Sequence, residues 1–171
     1  MKIPTIINGF NVYKAGNVLA GISDEVKLPD FNTITSTISG AGIAGNIEVP
    51  VIGFFEEMEM EIPFRSLVDD TFEVFGPSEQ VDVTLRGAIQ VTDTATGAIK
   101  KIGMRVAVRG YVKAFKPGSV KIADVMNTSI TLGITYILIE IDKETKIELD
   151  KFNSKFVVDG VDILGDIRSL T

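Results

Sequence analysis

The sequence predicts a mainly β protein of one domain spanning residues 1–171, an antiparallel sandwich or barrel with one short packed helix. Two stretches alternate apolar and charged side chains with a period of two, which is the pattern of a strand with one buried face. Short polar segments between such stretches have the composition of hairpin turns. A chain of 171 residues without cysteine can bury its core through packing alone.

The first alternating strand is acidic. Residues 57–62 read EMEMEI, so one face is apolar and the other presents Glu57, Glu59 and Glu61. Because Pro63 has no backbone donor, we expect it to end this strand or to place it near an edge of the sheet.

The second alternating strand is basic. Over residues 102–113 one face carries Arg105, Arg109 and Lys113. The opposite face carries five apolar side chains, namely Ile102, Met104, Val106, Val108 and Val112. A third strand, over residues 130–141, is apolar on both faces in its later half, which predicts a central position in the sheet.

Turn signals lie at residues 93–97, at residues 142–145 and at Asp159-Gly160, and each predicts a hairpin connection. They follow the predicted strands at the spacing of an antiparallel protein.

One helix is predicted, over residues 66–75. Ser66 opens a capping-box pattern with Asp69 in the Glu position, and Gly76-Pro77 stops the run. A helix of this length persists only when it packs against something. The face with helical spacing, which we expect to dock on the sheets, is made of Val68, Phe72 and Phe75.

Composition excludes several functional classes. The chain has no histidine and no cysteine, so the commonest ligands of zinc, haem and iron are missing, as are the usual bases of Ser and Cys nucleophiles. A carboxylate-only site for calcium or magnesium stays open, but no D-x-[DN]-x-[DN]-G loop occurs. No signal peptide pattern and no apolar run of membrane-spanning length is present. We therefore expect a soluble protein that is not an enzyme and has no cofactor, metal or membrane span.

Charge is divided sharply along the chain. Residues 24–82 hold 13 acids and 2 bases, whereas residues 83–121 hold 1 acid and 8 bases. Opposite blocks on one chain suit either two solvated faces or a protein that binds copies of itself. A nucleic-acid surface is disfavoured, because the basic block has no interleaved aromatic motif and the whole chain is acidic.

A glycine-rich stretch raises a nucleotide-binding alternative. Residues 40–45 read GAGIAG, which fits G-x-G-x-x-G. Residues 46–50 read NIEVP and leave no room for the helix whose N-terminus would hold the phosphates. We interpret residues 28–50 as an extended arm between Pro29 and Pro50, whose apolar side chains gain order from a partner.

Motifs along nearly the whole chain carry a resemblance to a known family. In order they are Asn8-Gly9, Ala20-Gly21, Val26-Lys27-Leu28-Pro29, Gly40-Ala41-Gly42-Ile43, Arg109-Gly110, Lys113, Lys116-Pro117-Gly118, the apolar strand 132–139, Ile141-Asp142, the segment 147–150 and the closing turn 158–162. Their order and spacing resemble the major tail tube proteins of contractile-tailed bacteriophages and of phage-tail-like bacteriocins. Asp159 stands where the family's closing turn has Asn.

The resemblance implies a structural protein that polymerises as stacked hexameric rings into a hollow conduit for DNA or ions. The particle would be a virion or bacteriocin tail assembled in the bacterial host cytoplasm. Implied partners are other copies of the chain, the tail sheath protein, the baseplate tube initiator, the tape-measure protein and the tail terminator. DNA would be only non-specific passing cargo. The alternatives are a secretion-system tube protein of related fold and a monomeric β-barrel that binds a small ligand.

Two sets of residues are candidate assembly sites within this resemblance. The ring-to-ring contact is assigned to the arm, through Leu28, Pro29, Phe31, Ile38, Gly40, Gly42, Ile43 and Gly45. The charged face at the lumen or at neighbouring subunits is assigned to Glu57, Glu59, Glu61, Arg105, Arg109 and Lys113. The glutamates line the lumen or a solvated outer face, and the bases pair with them across strands or across subunits.

Overall fold

The computed structural model describes residues 1–76 and 78–171, and Pro77, the second half of the predicted helix stop, lies outside the described residues. Strands dominate, as the sequence predicts. The elements are β1 (Lys2–Lys14), β2 (Asn17–Val18), β3 (Thr33–Ile38), β4 (Ile47–Phe55), β5 (Glu59–Phe64), α1 (Asp69–Phe75), β6 (Val81–Asp93), β7 (Ile99–Lys116), β8 (Thr128–Ile141), β9 (Glu144–Asp150), β10 (Lys155–Val158), β11 (Val161–Asp162) and α2 (Gly165–Leu170).

The main sheet is antiparallel throughout. Its strand order is β11-β10-β9-β8-β7-β6-β1-β2, with β5 added beside β8. The strand predicted to be central is β8, which pairs with β7 along one side and with two different strands along the other. This confirms its predicted position.

The sheet bends where β8 changes partner. The first half of β8 pairs with β5, from Glu59 opposite Gly133 to Phe64 opposite Thr128. The second half pairs with β9. On the β7 side the register shifts between Arg109 and Gly110, which is the irregularity of a β-bulge and increases local bending. The sheet therefore curls around a single apolar core.

The predicted alternation of the acidic strand is confirmed. Met58, Met60 and Ile62 are at most 1% exposed, while the glutamates between them face solvent. Pro63 does not end the strand, because β5 continues to Phe64. It does lie at a margin, since β5 pairs with β8 on one side and makes only isolated bridges on the other.

The predicted turns are also confirmed. Asp142 and Lys143 both have positive φ and join β8 to β9, while Asp159 and Gly160 do the same between β10 and β11. Residues 93–97 lie at the junction of β6 and β7, with the Gly97 amide donating to the Asp93 carbonyl.

Helix α1 begins later than the sequence predicts, so the capping box at Ser66 is wrong. The residue before the first helical turn is Val68, with extended backbone, and its amide donates to Thr71 Oγ1 at 3.3 Å. Thr71 therefore supplies half of a capping box three residues downstream of the start, a role its short side chain allows. The helix ends at Phe75, followed by Gly76 as predicted.

The predicted docking face of α1 is confirmed in part, since Val68 packs against the hydrophobic core. Thr71 and Val74 are fully buried, whereas Phe72 and Phe75 are about half exposed and pack against Phe115 at the end of β7. Thr71 and Val74 are three residues apart and therefore share the helix face that reaches the core. The two phenylalanines instead cover the margin of the sheet.

A second helix, α2, corrects the prediction of only one. It is six residues long and is positioned by tertiary contacts. Arg168 pairs with Asp162 and donates from Nη1 to the Ser154 carbonyl. Because helices this short do not form on local propensity alone, no sequence pattern predicts α2.

The arm is a β-hairpin and extends beyond the predicted loop of residues 28–50. Strands β3 and β4 pair with each other as a separate sheet, with Ile38 opposite Ile47. Five of the six residues in 33–38 are β-branched and favour a strand, and Pro50 is tolerated because the hairpin has free edges.

Candidate assembly surfaces

The β3–β4 hairpin projects from the core and is rooted in an aromatic cluster. Phe31 and Phe55 pack edge to face with ring centroids 5.5 Å apart, and Phe55 packs in the same way on Phe156 at 5.0 Å. Leu28 packs against the hydrophobic core of the domain, and Pro29 is buried. Three of the predicted contact residues, Leu28, Pro29 and Phe31, thus form the root of the hairpin.

The other predicted contact residues lie at the free end. Ile38 ends β3, and Gly40, Gly42, Ile43 and Gly45 belong to the turn that leads into β4. Gly42 and Gly45 have positive φ, the conformation that glycine adopts without a steric penalty. Strand β4 follows at once, so the helix required by a phosphate-binding loop is not there.

Apolar side chains cover the hairpin although no described residue buries them. Seven of them are between 37% and 60% exposed, namely Ile34, Ile38, Ile47, Val49, Val51, Ile52 and Phe54. An exposed apolar surface of this kind marks an interaction site in a folded protein.

The hairpin is docked on the domain at one tight point. Gly53 has a φ of 75°, and a Cβ placed there would lie 2.5 Å from Cδ2 of Leu164. Leu164 is buried and immediately precedes α2. The missing side chain at Gly53 therefore lets β4 approach α2 closely and sets the direction in which the hairpin leaves the domain.

The predicted charged face is partly neutralised within the chain. Lys113 Nζ lies 2.6 Å from Glu57 Oε1 and also contacts Glu59. The hydrogen bond from Lys113 lowers the pKa of Glu57, and the two carboxylates together raise the pKa of Lys113. Glu61 has no basic partner within 4 Å among the residues described. Lys113 thus forms ion pairs with two of the three glutamates of β5 and leaves Glu61 without one among the described residues.

Arg105 and Arg109 pair with other carboxylates of the same chain. Arg105 Nη1 lies 3.0 Å from Glu140 Oε2 on β8. Arg109 Nε lies 3.5 Å from Asp82 Oδ2 on β6, and its guanidinium stacks over the ring of Tyr136 at 4.5 Å. Sequence reasoning grouped both arginines with Lys113, but the structure brings only Lys113 to the glutamates of β5.

The sequence analysis does not name Arg86, Asp82 and Tyr136, which lie beside Arg105 and Arg109 on the sheet. A signal for Arg86 was present in the hairpin turn at residues 93–97. Once the centre of that turn is placed between Ala95 and Thr96, antiparallel pairing sets Arg86 opposite Arg105.

The outer edge of β1 is a third surface. β1 pairs with β6 on one side, and on the other it meets β2 only at Tyr13 and Lys14. The rest of that edge has no strand partner in the part of the chain that the structure describes. Ile3, Ile6 and Ile7 on it are 42–59% exposed. Long apolar edges of this kind pair with other strands unless they are protected.

Among residues 1–76 and 78–171, no group of three or more acidic side chains is arranged to hold a metal ion. No helix in the same residues is long and apolar enough to cross a membrane.

An antiparallel β domain with a projecting apolar hairpin and an unpaired apolar edge belongs to the class of structural subunits that assemble with other chains. Comparison with known proteins identifies the family. Residues 4–170 match the model of phage tail tube protein FII, and the chain belongs to that family as a structural tail tube protein. The predicted resemblance is confirmed.

Two known proteins are similar to the chain, one in sequence and one in fold. The chain is 25% identical over 171 residues to the tail tube protein of Escherichia phage P2, covering 98% of this chain and 97% of that protein. A cryo-EM structure of the sheath/tube terminator of the extracellular contractile injection system PVC shares the fold, with a TM-score of 0.53 at 14% identity over 81% of this chain and 97% of the other.

Proposed function

We propose that the chain polymerises as hexameric rings that stack into the hollow inner tube of a contractile tail, a conduit for DNA or ions. The observation that carries this proposal is the β3–β4 hairpin, which projects from a rooted base and exposes apolar side chains in a member of a tail tube family. The chain acts as a structural element and not as an enzyme.

The ring-to-ring contact is made by the distal part of the hairpin. Its residues from Ile38 to Ile47 are free of the domain, whereas Leu28, Pro29 and Phe31 are engaged at the root. The tight docking of Gly53 on Leu164 fixes the direction of the hairpin, so its exposed face is presented to the next ring with little loss of conformational freedom.

Neighbours within a ring associate through the unpaired outer edge of β1. Adding a strand of another copy to this edge satisfies its backbone donors and acceptors and covers Ile3, Ile6 and Ile7. Repetition around a closed ring removes every exposed edge, as a barrel does.

The acidic face around β5 lines the lumen or borders a neighbouring subunit. With Lys113 neutralising part of Glu57 and Glu59, the remaining negative charge is modest but still repels phosphates and keeps passing DNA from adhering. The partners other than copies of this chain are the sheath, the tube initiator of the baseplate, the tape-measure protein and the tail terminator, and assembly takes place in the host cytoplasm.

Replacement of the hairpin tip tests the proposal. Exchanging residues 39–46 for Asn-Gly joins Ile38 to Ile47 through a two-residue turn and keeps the strand pairing. We expect this variant to fold and to form no stacked tubes, as seen by negative-stain electron microscopy of tag-free protein. The matched control exchanges residues 120–122 of an exposed loop for Gly-Ser-Gly and should assemble normally. Tubes of normal length from the tip variant would refute the hairpin contact.

A further inference from the structure

A pocket on the face of the sheet that points away from the core contains three arginines. It has a volume of about 310 Å³ and is lined by β1, β6, β7 and β8, with Arg86, Arg105 and Arg109 among its walls. These arginines belong to the charged face described above, but the ion pairs of that face do not include Arg86.

Strand register forces two of these charges together. Arg86 lies directly opposite Arg105 in the β6–β7 pairing, on the same face of the sheet. Side chains in such pairs are close neighbours, and like charges directly opposite each other destabilise a sheet unless something compensates them.

The compensation inside the chain is incomplete. Arg105 has Glu140 and Arg109 has Asp82, but no carboxylate of the described residues lies within 4 Å of Arg86. Arg86 is instead placed over the ring of Tyr13, 5.1 Å from its centroid. Three guanidinium groups facing two carboxylates leave one positive charge in excess.

Other acidic groups near the pocket are already engaged. Glu148, on β9 beyond Tyr136, accepts a hydrogen bond from the Tyr136 hydroxyl at 3.1 Å and pairs with Lys155 at 3.2 Å. Asp150 accepts hydrogen bonds from the amides of residues 152 and 153. Neither is a partner of Arg86.

The donors of Arg105 identify the chemistry that is missing. Glu140 is bound by Nη1 alone. Nε of Arg105 is buried and has no acceptor among the described residues. Because this Nε is covered by the protein, the part of Arg105 that an added acceptor can reach is the exposed end of its guanidinium, where Nη2 has no hydrogen bond to a described residue. A guanidinium nitrogen forms charge-assisted hydrogen bonds with the oxygens of a carboxylate or phosphate.

We propose that this pocket binds one oxyanion, a phosphate or a carboxylate, between the guanidinium of Arg86 and Nη2 of Arg105. The oxyanion supplies the negative charge that Arg86 lacks, and the rings of Tyr13 and Tyr136 hold Arg86 and Arg109 in place. It comes either from solution as a free phosphate or from a carboxylate side chain of a second copy. The second source rests on the proposed tube assembly.

Binding of free phosphate is tested by titration with inorganic phosphate at constant ionic strength. The amide chemical shifts of the pocket residues report the binding. Arg86→Gln is compared with Lys100→Gln, which removes the same charge from an exposed position on β7. We expect saturable binding that weakens at least about tenfold in Arg86→Gln, since a charge-assisted hydrogen bond is lost, and changes little in Lys100→Gln.

Tube formation by the same two variants tests the second source. If phosphate does not bind but Arg86→Gln folds normally and fails to assemble while Lys100→Gln assembles, the oxyanion is a carboxylate of a neighbouring copy. Two results together overturn the proposal. Both variants form normal tubes, and phosphate binding is either absent or weakened equally in the two variants. If the unmodified chain forms no tubes, the proposed function fails and the phosphate titration alone decides, with absent binding overturning the site.

Discussion

Replacing Ile38 and Ile47 together with threonine should weaken ring stacking without unfolding the domain. The two residues face each other across the β3–β4 pairing near the free end of the hairpin. Threonine keeps the β-branched shape that a strand favours while adding a hydroxyl that is costly to bury without a partner.

The expected size of the effect follows from exposure. Ile38 and Ile47 are 44% and 48% exposed in the isolated chain. Full burial of an isoleucine contributes about 1.5–3 kcal/mol, so covering the exposed half of each contributes about 0.7–1.4 kcal/mol. Because threonine retains one of the methyl groups, the pair should lose about 1–2 kcal/mol per subunit, a factor of roughly 5–30 in the association constant.

The assay compares association with stability. The concentration at which tubes appear, measured by sedimentation, should rise by that factor. The free energy of unfolding of the unassembled chain in urea should change by less than about 1 kcal/mol, because both sites are exposed. The control, Val120→Thr with Ile122→Thr, alters side chains that are 87% and 95% exposed in a loop with no assigned contact, and should assemble as the parent does. An unchanged critical concentration for the hairpin variant would refute the reasoning.

Three further changes test other parts of the account. Arg109→Glu should impair polymerisation and lower the free energy of unfolding by only about 1 kcal/mol, since its ion pair is half exposed; normal tubes in sedimentation would contradict this. Gly53→Ala should cost about 1–3 kcal/mol in urea unfolding, because it strains a positive φ and meets Leu164, and an unchanged midpoint would exclude tight docking. Asp162→Asn should lower stability at neutral pH. The Arg168 hydrogen bond holds the pKa of Asp162 below its ordinary 3.8, so this stabilisation is present above that pH and is lost as pH falls through the lower folded value. The difference from the parent in urea unfolding should therefore shrink as the pH falls below 3.8, and a difference independent of pH would argue against the ion pair.

Local patterns in the sequence were enough to predict much of the fold. Alternation identified β5 and β7, because a period of two survives any tertiary arrangement that buries one face. The apolar run at residues 130–141 identified the central strand, and positive-φ turn residues such as Asp159-Gly160 identified hairpins.

Predictions failed where tertiary contacts decide the structure. Helix α1 starts at Asp69 because Thr71 caps it, although Ser66 offered an equally good local pattern. Helix α2 depends on Arg168 reaching Asp162 and Ser154, and no local preference marks those contacts. The glycines and prolines of the arm predict a loop, although the residues on either side of the glycines form strands β3 and β4.

The candidate site was predictable only in part. The tip of the hairpin and the charged strands were named from composition and from the family resemblance. The pairing of Arg105 with Glu140 and the position of Arg86 opposite Arg105 depend on strand register, which one sequence specifies only through turn geometry. The sequence does not show that Leu28, Pro29 and Phe31 differ in role from the residues of the tip, since their burial at the root of the hairpin follows from the fold.

Cryo-EM reconstruction of tubes assembled from the purified, tag-free chain tests the central claim most directly. The account predicts six subunits per ring around an open bore, with the β3–β4 hairpin crossing the ring boundary so that Ile38 and Ile47 are buried against the adjacent ring. A hairpin that folds back onto its own ring, or a closed assembly without a continuous bore, would contradict it.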